Sequence, residues 1–133
     1  ERIAIAIDFS KSDQKTIRHA LSLGGKKADY LLIHVVETPM AFMVGKDTGD
    51  FESVSDSSNI ELLKNNLLQE GYRVSSVLGY GKPKRAIAQK TNEYNADILV
   101  MGAHGHNTFK DLLFGTTIDG VRHLISIPVL IVR

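Results

Sequence analysis

Four short runs are apolar almost throughout: Ile3 to Ile7, Tyr30 to Val36, Ile98 to Met101 and Val129 to Val132. Unbroken apolarity, in place of the alternation of a half-solvated sheet, marks strands covered on both faces, as in a parallel sheet. Between them the spacing changes to that of helices. Ile17, Ala20, Leu21 and Gly24 recur at i, i+3, i+4 and i+7, with Ser10 and Asp13 placed as a variant capping box and Gly24-Gly25 as a stop. Ile60, Leu63 and Leu67 make a second stripe that ends at Gly71. Ile87, Thr91 and Tyr94 make a third, opened by Pro83 as a first-turn residue, and Ile118, Val121 and Ile125 a fourth that stops before Pro128. A further strand of mixed polarity is expected over Tyr72 to Tyr80, and its Ser75 and Ser76 place it at a sheet edge.

Strands and helices therefore alternate from end to end. With right-handed crossovers this order predicts an α/β fold: a doubly wound, open, five-stranded parallel sheet with helices on both faces. The first strand is central, with the second and third to one side and the fourth and fifth to the other, giving the order 3-2-1-4-5. The interval Thr38 to Ser58, rich in Gly, Ser and Asp, is expected to be irregular, as either a flap over a site or a disordered segment. In open α/β sheets ligands lie outside the carboxyl ends of the strands where the winding reverses, here between strands one and four. Strand one runs into Asp8-Phe9-Ser10 and strand four into Gly102-Ala103-His104-Gly105, so both turns are expected to face one crevice.

Composition narrows this picture only slightly. A length of 133 residues suits one domain over residues 1–133 with a sizeable core. A formal net charge of +1 predicts neither nucleic-acid nor polyanion binding. The absence of cysteine excludes disulfide and thiol chemistry and fits a reducing cytosolic setting. No apolar run approaches the roughly 20 residues of a membrane-spanning helix, so no membrane insertion of this segment is expected. The chain starts at Glu1-Arg2, immediately before a strand and without Met, which suits a domain trimmed or cut from a longer polypeptide.

The glycines carry more information. Gly102, Gly105 and Gly115 punctuate the stretch after strand four, where a missing Cβ lets a ligand approach main-chain N–H groups closely. Gly115-Thr116-Thr117 then opens a helix whose unpaired N–H groups and positive dipole end favour an anion. Singly, each feature has a structural explanation, including a capping box of Thr116 with Asp119. Jointly, at the switch point, they favour a nucleotide phosphate site. Neither a P-loop nor a GxGxxG fingerprint is present. A receiver domain would need an Asp where strand three ends in Gly79-Tyr80-Gly81, and an HxGH nucleotidyltransferase would need His where Ala103 stands.

Gly102, two residues, Gly105, nine residues, Gly115 and Thr116 match the G-2x-G-9x-G-[S/T] signature, and the chain is similar to the ATP-binding branch of the universal stress protein (UspA) family. Ile5-Ala6-Ile7-Asp8-Phe9-Ser10, Leu32-Ile33-His34-Val35 and Ile127 to Val132 resemble its first, second and last strands. The resemblance implies a Rossmann-like, adenine nucleotide alpha hydrolase-like topology. It implies ATP, with Mg2+, as the bound cofactor in a regulatory, stress-response module of the cytoplasm. Asp8 and the backbone around Ala6 and Val35 would hold adenine and ribose; Met101 and Gly102 would border the ribose. Gly105, Gly115, Thr116 and Thr117 would contact the phosphates, with His104 either lining their path or purely structural. The metal would be held mainly by phosphate and water, since no ligand cluster stands out in the chain. Two other readings stay open: a slow ATPase or phosphotransferase, and a cytosolic regulatory domain fused to an ion or metal-ion transporter, Nramp-like ones included. The family also implies a homodimer, and an apolar last strand, Val129 to Val132, at a sheet edge needs a cover of that kind.

Other candidates are weaker. Asp8 as a catalytic base lacks an identifiable second acid or ordered histidine, so no catalytic residue is assigned. His34, inside an apolar strand, is read as a satisfied core residue, and His19 and His123 as solvated. His104 and His106 make a poor metal pair, and Lys82, Lys84 and Arg85 a solvated surface that would also suit an acidic partner.

Overall fold

The apolar runs do become the strands of one parallel sheet. In a computed structural model, the described residues are 1–36, 51–103 and 117–133. Strand β1 (Arg2–Ile7) leads to helix α1 (Ser12–Gly24), a short 3-10 turn (Gly25–Lys27) and β2 (Asp29–Val36). Helix α2 (Phe51–Gln69), β3 (Arg73–Tyr80), α3 (Pro83–Glu93) and β4 (Ile98–Gly102) follow. A helix α4 over residues 117–124 then precedes β5 (Val129–Val132). The sheet order is β3-β2-β1-β4-β5, as expected, and every neighbouring pair is parallel. The mixed-polarity strand β3 occupies one edge and β5 the other.

Alternate residues of the strands feed two cores. Ile3, Ile5 and Ile7 of β1 pack with Tyr30 and Leu32 under α1 and α2, which supply Ile17, Ala20, Ile60 and Leu67. Ala4 and Ala6 face the opposite way, with Ile33, Leu99 and Met101, under Ile87 of α3 and Val121 of α4. Because both faces are covered, the period-two signal is lost from the sequence. The end of α1 is set by Gly25, whose φ of 62° turns the chain and whose N–H donates to the Leu21 carbonyl. Its neighbour Gly24 is fixed by crowding. A Cβ there would lie 2.5 Å from the Ala28 Cβ, 2.7 Å from the Ile3 Cδ1 and 2.8 Å from the Tyr30 hydroxyl. Gly24→Val is accordingly expected to destabilise the fold by about 2 kcal/mol, read as a lower urea midpoint at unchanged slope.

Two local expectations need correction. The interval read as irregular through Ser58 turns helical at Phe51, so α2 contains residues 51–58; the remainder, 38–50, lies outside the described residues. Residues of low helix propensity stand there, and the Asp56 carboxylate ties this part of the helix to His34 of β2. Nor do Ser10 and Asp13 form a capping box. Helix α1 begins at Ser12 after Lys11, which makes no side-chain cap. The Ser10 Oγ pairs with the Ser12 Oγ at 2.7 Å, while the Asp13 carboxylate turns back toward the end of β1.

Candidate functional site at the carboxyl end of the sheet

The register of the central strands gathers the sequence-selected residues at one rim. Ala6 of β1 stands opposite Met101 of β4, and Ile7, which precedes Asp8, stands opposite His34 of β2, which precedes Val35. Gly102 ends β4. Ala6, Asp8, Val35, Met101 and Gly102 thus sit at the carboxyl ends of three adjacent strands. Ala6, Val35 and Met101 are buried with their side chains in the core, so only their main chain is suited to meet a ligand. Thr117 is buried at the first described position of α4. A helix that returns from β4 to the parallel strand β5 must start at the carboxyl rim, which places Thr117 on the same side. His104, Gly105, Gly115 and Thr116 lie outside the described residues, as does His106.

The turn after β1 is tightly organised. Ser10 N–H donates to the Asp8 Oδ1 at 3.0 Å, a local side-chain turn. Phe9 between them adopts a φ of 61°, a left-handed conformation that costs a bulky residue on the order of 1 kcal/mol. Two groups hold it there. The Asp13 carboxylate accepts the Phe9 N–H at 2.6 Å and the Asp8 N–H at 3.2 Å. The Phe9 ring lies on the His34 imidazole, with centroids 4.1 Å apart and planes inclined by 35°.

Neither contact is legible in the sequence. The sequence pattern makes Asp13 part of a helix cap; in the fold it is an acid beside Asp8. It is 8% exposed, and burial first, then the adjacent Asp8 charge, push its carboxyl up from 3.8 to about 7, although the Asp8 and Phe9 N–H groups pull the other way. On its outer side Asp13 borders a cleft of about 760 Å³ between α1 and α2, walled by Ile17, Leu63 and Leu67 with Lys11 and Asn59 nearby. His34 is a satisfied core residue, as expected, but it is also an ordered one. Its Nδ1 donates to the Ile7 carbonyl at 3.0 Å, since a carbonyl only accepts, and its Nε2 meets the Asp56 Oδ2 at 2.9 Å. The ring therefore ties α2 to the last residue of β1. His19 and His123 are exposed, as expected.

No group of three or more metal-ligating side chains occurs among the described residues. A second hollow, of about 510 Å³, opens at the opposite, amino-terminal edge of the sheet among Arg2, Asp29, Tyr72, Arg73 and Tyr94. Its polar groups are largely engaged with one another: Arg2 donates to the Tyr94 carbonyl at 2.8 Å, and Arg73 lies 3.1 Å from Asp29. The switch-point rim is the better candidate.

A five-stranded parallel sheet in this order, with a polar turn after β1 beside the glycine that ends β4, is a doubly wound α/β domain, a class whose ligands sit at the carboxyl rim of the sheet. The universal stress protein family model matches residues 1–133, and the chain belongs to that family. It is 24% identical to universal stress protein MJ0577 of Methanocaldococcus jannaschii over 100% of this chain and 94% of that protein. The MJ0577 structure superposes with a TM-score of 0.79, covering 99% of this chain and 94% of the other. Universal stress protein Slr1230 of Synechocystis is 31% identical over 99% of this chain, which spans only 42% of its length. A universal stress protein from Archaeoglobus fulgidus, solved in complex with dAMP, is 16% identical with a TM-score of 0.74, covering 99% of this chain and 97% of that one. Another, solved with cAMP, is 18% identical with a TM-score of 0.72, covering 100% and 96%.

Proposed function

We propose that the chain is a regulatory module that binds an adenine nucleotide, ATP with Mg2+, at the carboxyl rim of its sheet. The observation that carries this reading is the convergence of Asp8 and Gly102 on adjacent central strands at the winding reversal. Support comes from the family, whose solved members include complexes with dAMP and cAMP. Asp8 accepts hydrogen bonds from ribose or adenine, and the main chain at Ala6, Val35, Met101 and Gly102 frames the nucleoside. Gly105, Gly115, Thr116 and Thr117 take the phosphates, with His104 beside them. A magnesium ion bound with the nucleotide would be held mainly by phosphate oxygens and water. Residues 1–133 make one such domain, acting in the cytoplasm as a free protein or as part of a longer chain such as a transporter. None of the described helices is long and apolar enough to cross a membrane.

The test is equilibrium dialysis against labelled Mg-ATP, followed by phosphate release under excess ATP. One nucleotide retained per chain with no phosphate above background supports a binding module. No retained nucleotide rejects it, and steady release identifies a slow ATPase instead.

The chain pairs with a second copy through β5. Val129, Leu130 and Ile131 stay only half-buried at the sheet edge, leaving an apolar strand that a two-fold partner would cover. Sedimentation at micromolar concentration is expected to give a dimer; a monomer alone removes this assignment.

A further inference from the structure

The two carboxyl groups of the turn after β1 are arranged as a unit. Asp13 is buried, both its oxygens accept N–H groups from the turn that carries Asp8, and the Asp8 carboxyl lies within hydrogen-bonding reach of it. Asp8 is anchored in turn by the Ser10 N–H. Two ionised carboxylates so placed repel each other, and one proton held between them removes the repulsion while adding a bond. Among the described residues, the charged groups around Asp13 do not replace that proton. Lys11, at the start of α1, borders the cleft, whose α2 wall is uncharged: Asn59, Leu63, Asn66 and Leu67. From β2 comes His34, whose ring is already engaged by Ile7 and by Asp56 of α2. Among the described residues, Asp8 is the charged group that acts on the Asp13 carboxyl.

We propose that Asp13 is a positioning residue for the nucleotide site, sharing a single proton with Asp8 and so fixing the orientation and charge that Asp8 presents to a ligand. This rests on the reading of Asp8 as a ligand-facing residue. With one proton shared, the pair carries one negative charge. With the proton lost the pair carries two, the turn is strained by repulsion, and an anionic nucleotide meets a more negative rim. The Asp13 carboxyl is held protonated to about 7, so the change falls in the neutral range. The cleft beside Asp13 gives the proton its way to solvent.

The sign follows directly: a ligand that brings negative charge favours the protonated pair, so affinity falls as pH rises through about 7. Mg-ATP is expected to bind the unaltered chain about tenfold more weakly at pH 8 than at pH 6, since one linked proton changes affinity by at most tenfold per pH unit. In Asp13→Asn the amide oxygen still accepts from the Phe9 N–H, while the NH2 group gives up the weaker bond from the Asp8 N–H and donates permanently to the Asp8 carboxylate. That variant is expected to lose the pH slope, retaining only the ligand's own titration, and to hold its pH 6 affinity at pH 8. Asp13→Ala removes the clasp and is expected to bind about tenfold more weakly at both values. A slope in Asp13→Asn equal to that of the unaltered chain overturns the proposal.

A second measurement does not depend on any variant folding or any ligand binding. Carboxyl carbon NMR of the ligand-free chain is expected to show the Asp13 carboxyl titrating near pH 7. Titration of Asp13 below pH 5 overturns the shared proton whether or not nucleotide binds. A chain whose Asp13 titrates near pH 7 but that binds no Mg-ATP at pH 6 overturns the nucleotide reading, and Asp13's role in it, while the carboxyl pair stands.

Discussion

Asp8→Ala is expected to weaken Mg-ATP binding between about tenfold and a hundredfold, because a hydrogen bond to a charged group contributes about 1.5–3 kcal/mol. Among the described residues, the nearby carboxylates are already engaged: Asp13 with the Phe9 and Asp8 N–H groups and Asp56 with His34. The fold should tolerate the change. The Ser10 N–H loses an acceptor, but Asp13 loses the neighbouring charge that opposes its own ionisation. Stability is therefore expected to stay within about 1 kcal/mol of the unaltered chain. Calorimetric titration reads the first effect and urea denaturation the second. Affinity within twofold of the unaltered chain would remove Asp8 from the site.

The largest stability effect is expected at Asp56, on the far side of the same turn. Asp56 and His34 are both buried, and their 2.9 Å contact joins α2 to β2. Truncation to Ala leaves the His34 Nε2 without a partner in a dry site, which for buried pairs costs about 3–5 kcal/mol. The loss should show as a fall in Tm of roughly 10–20 °C for a chain of this size. Replacing both partners by apolar residues separates the contact from its burial cost. His34→Leu with Asp56→Leu is expected to recover most of the lost stability, since a buried pair exchanged for packed hydrocarbon is often near neutral. The double variant should still bind nucleotide more weakly, because the Phe9 ring and the Ile7 carbonyl lose their imidazole partner. If Asp56→Ala unfolds at the temperature of the unaltered chain, the link between α2 and the β1 rim is not structural.

What could be read from the sequence followed from burial symmetry. Strands covered on both faces announce themselves as unbroken apolar runs, and observed bounds such as Asp29–Val36 and Val129–Val132 fall within a residue of the expected ones. Sheet order came from the alternation of elements and from the serines of β3, which mark an edge. Where tertiary contacts set the structure, the sequence was silent. The first two turns of α2 carry Ser and Asp in place of an apolar stripe, and they are anchored through Asp56 by a histidine 22 residues earlier. The partnership of Asp13 with Asp8 depends on a chain reversal through Phe9, an aromatic residue at a positive φ that no glycine or asparagine flags. An Asp three residues after a Ser reads equally as a cap, and only the path of the backbone separates the two.

Amide chemical-shift mapping, with Mg-ATP added to isotopically labelled protein, locates the nucleotide most directly. The expected result is saturable shifts at Asp8, Phe9 and Ser10, at Val36 and at Gly102 and Ala103. Arg2, Asp29 and Arg73, on the opposite edge, should stay unmoved. Shifts confined to that opposite edge, in the hollow between Tyr72 and Tyr94, or none at all at saturating nucleotide, would contradict a nucleotide site at the carboxyl rim.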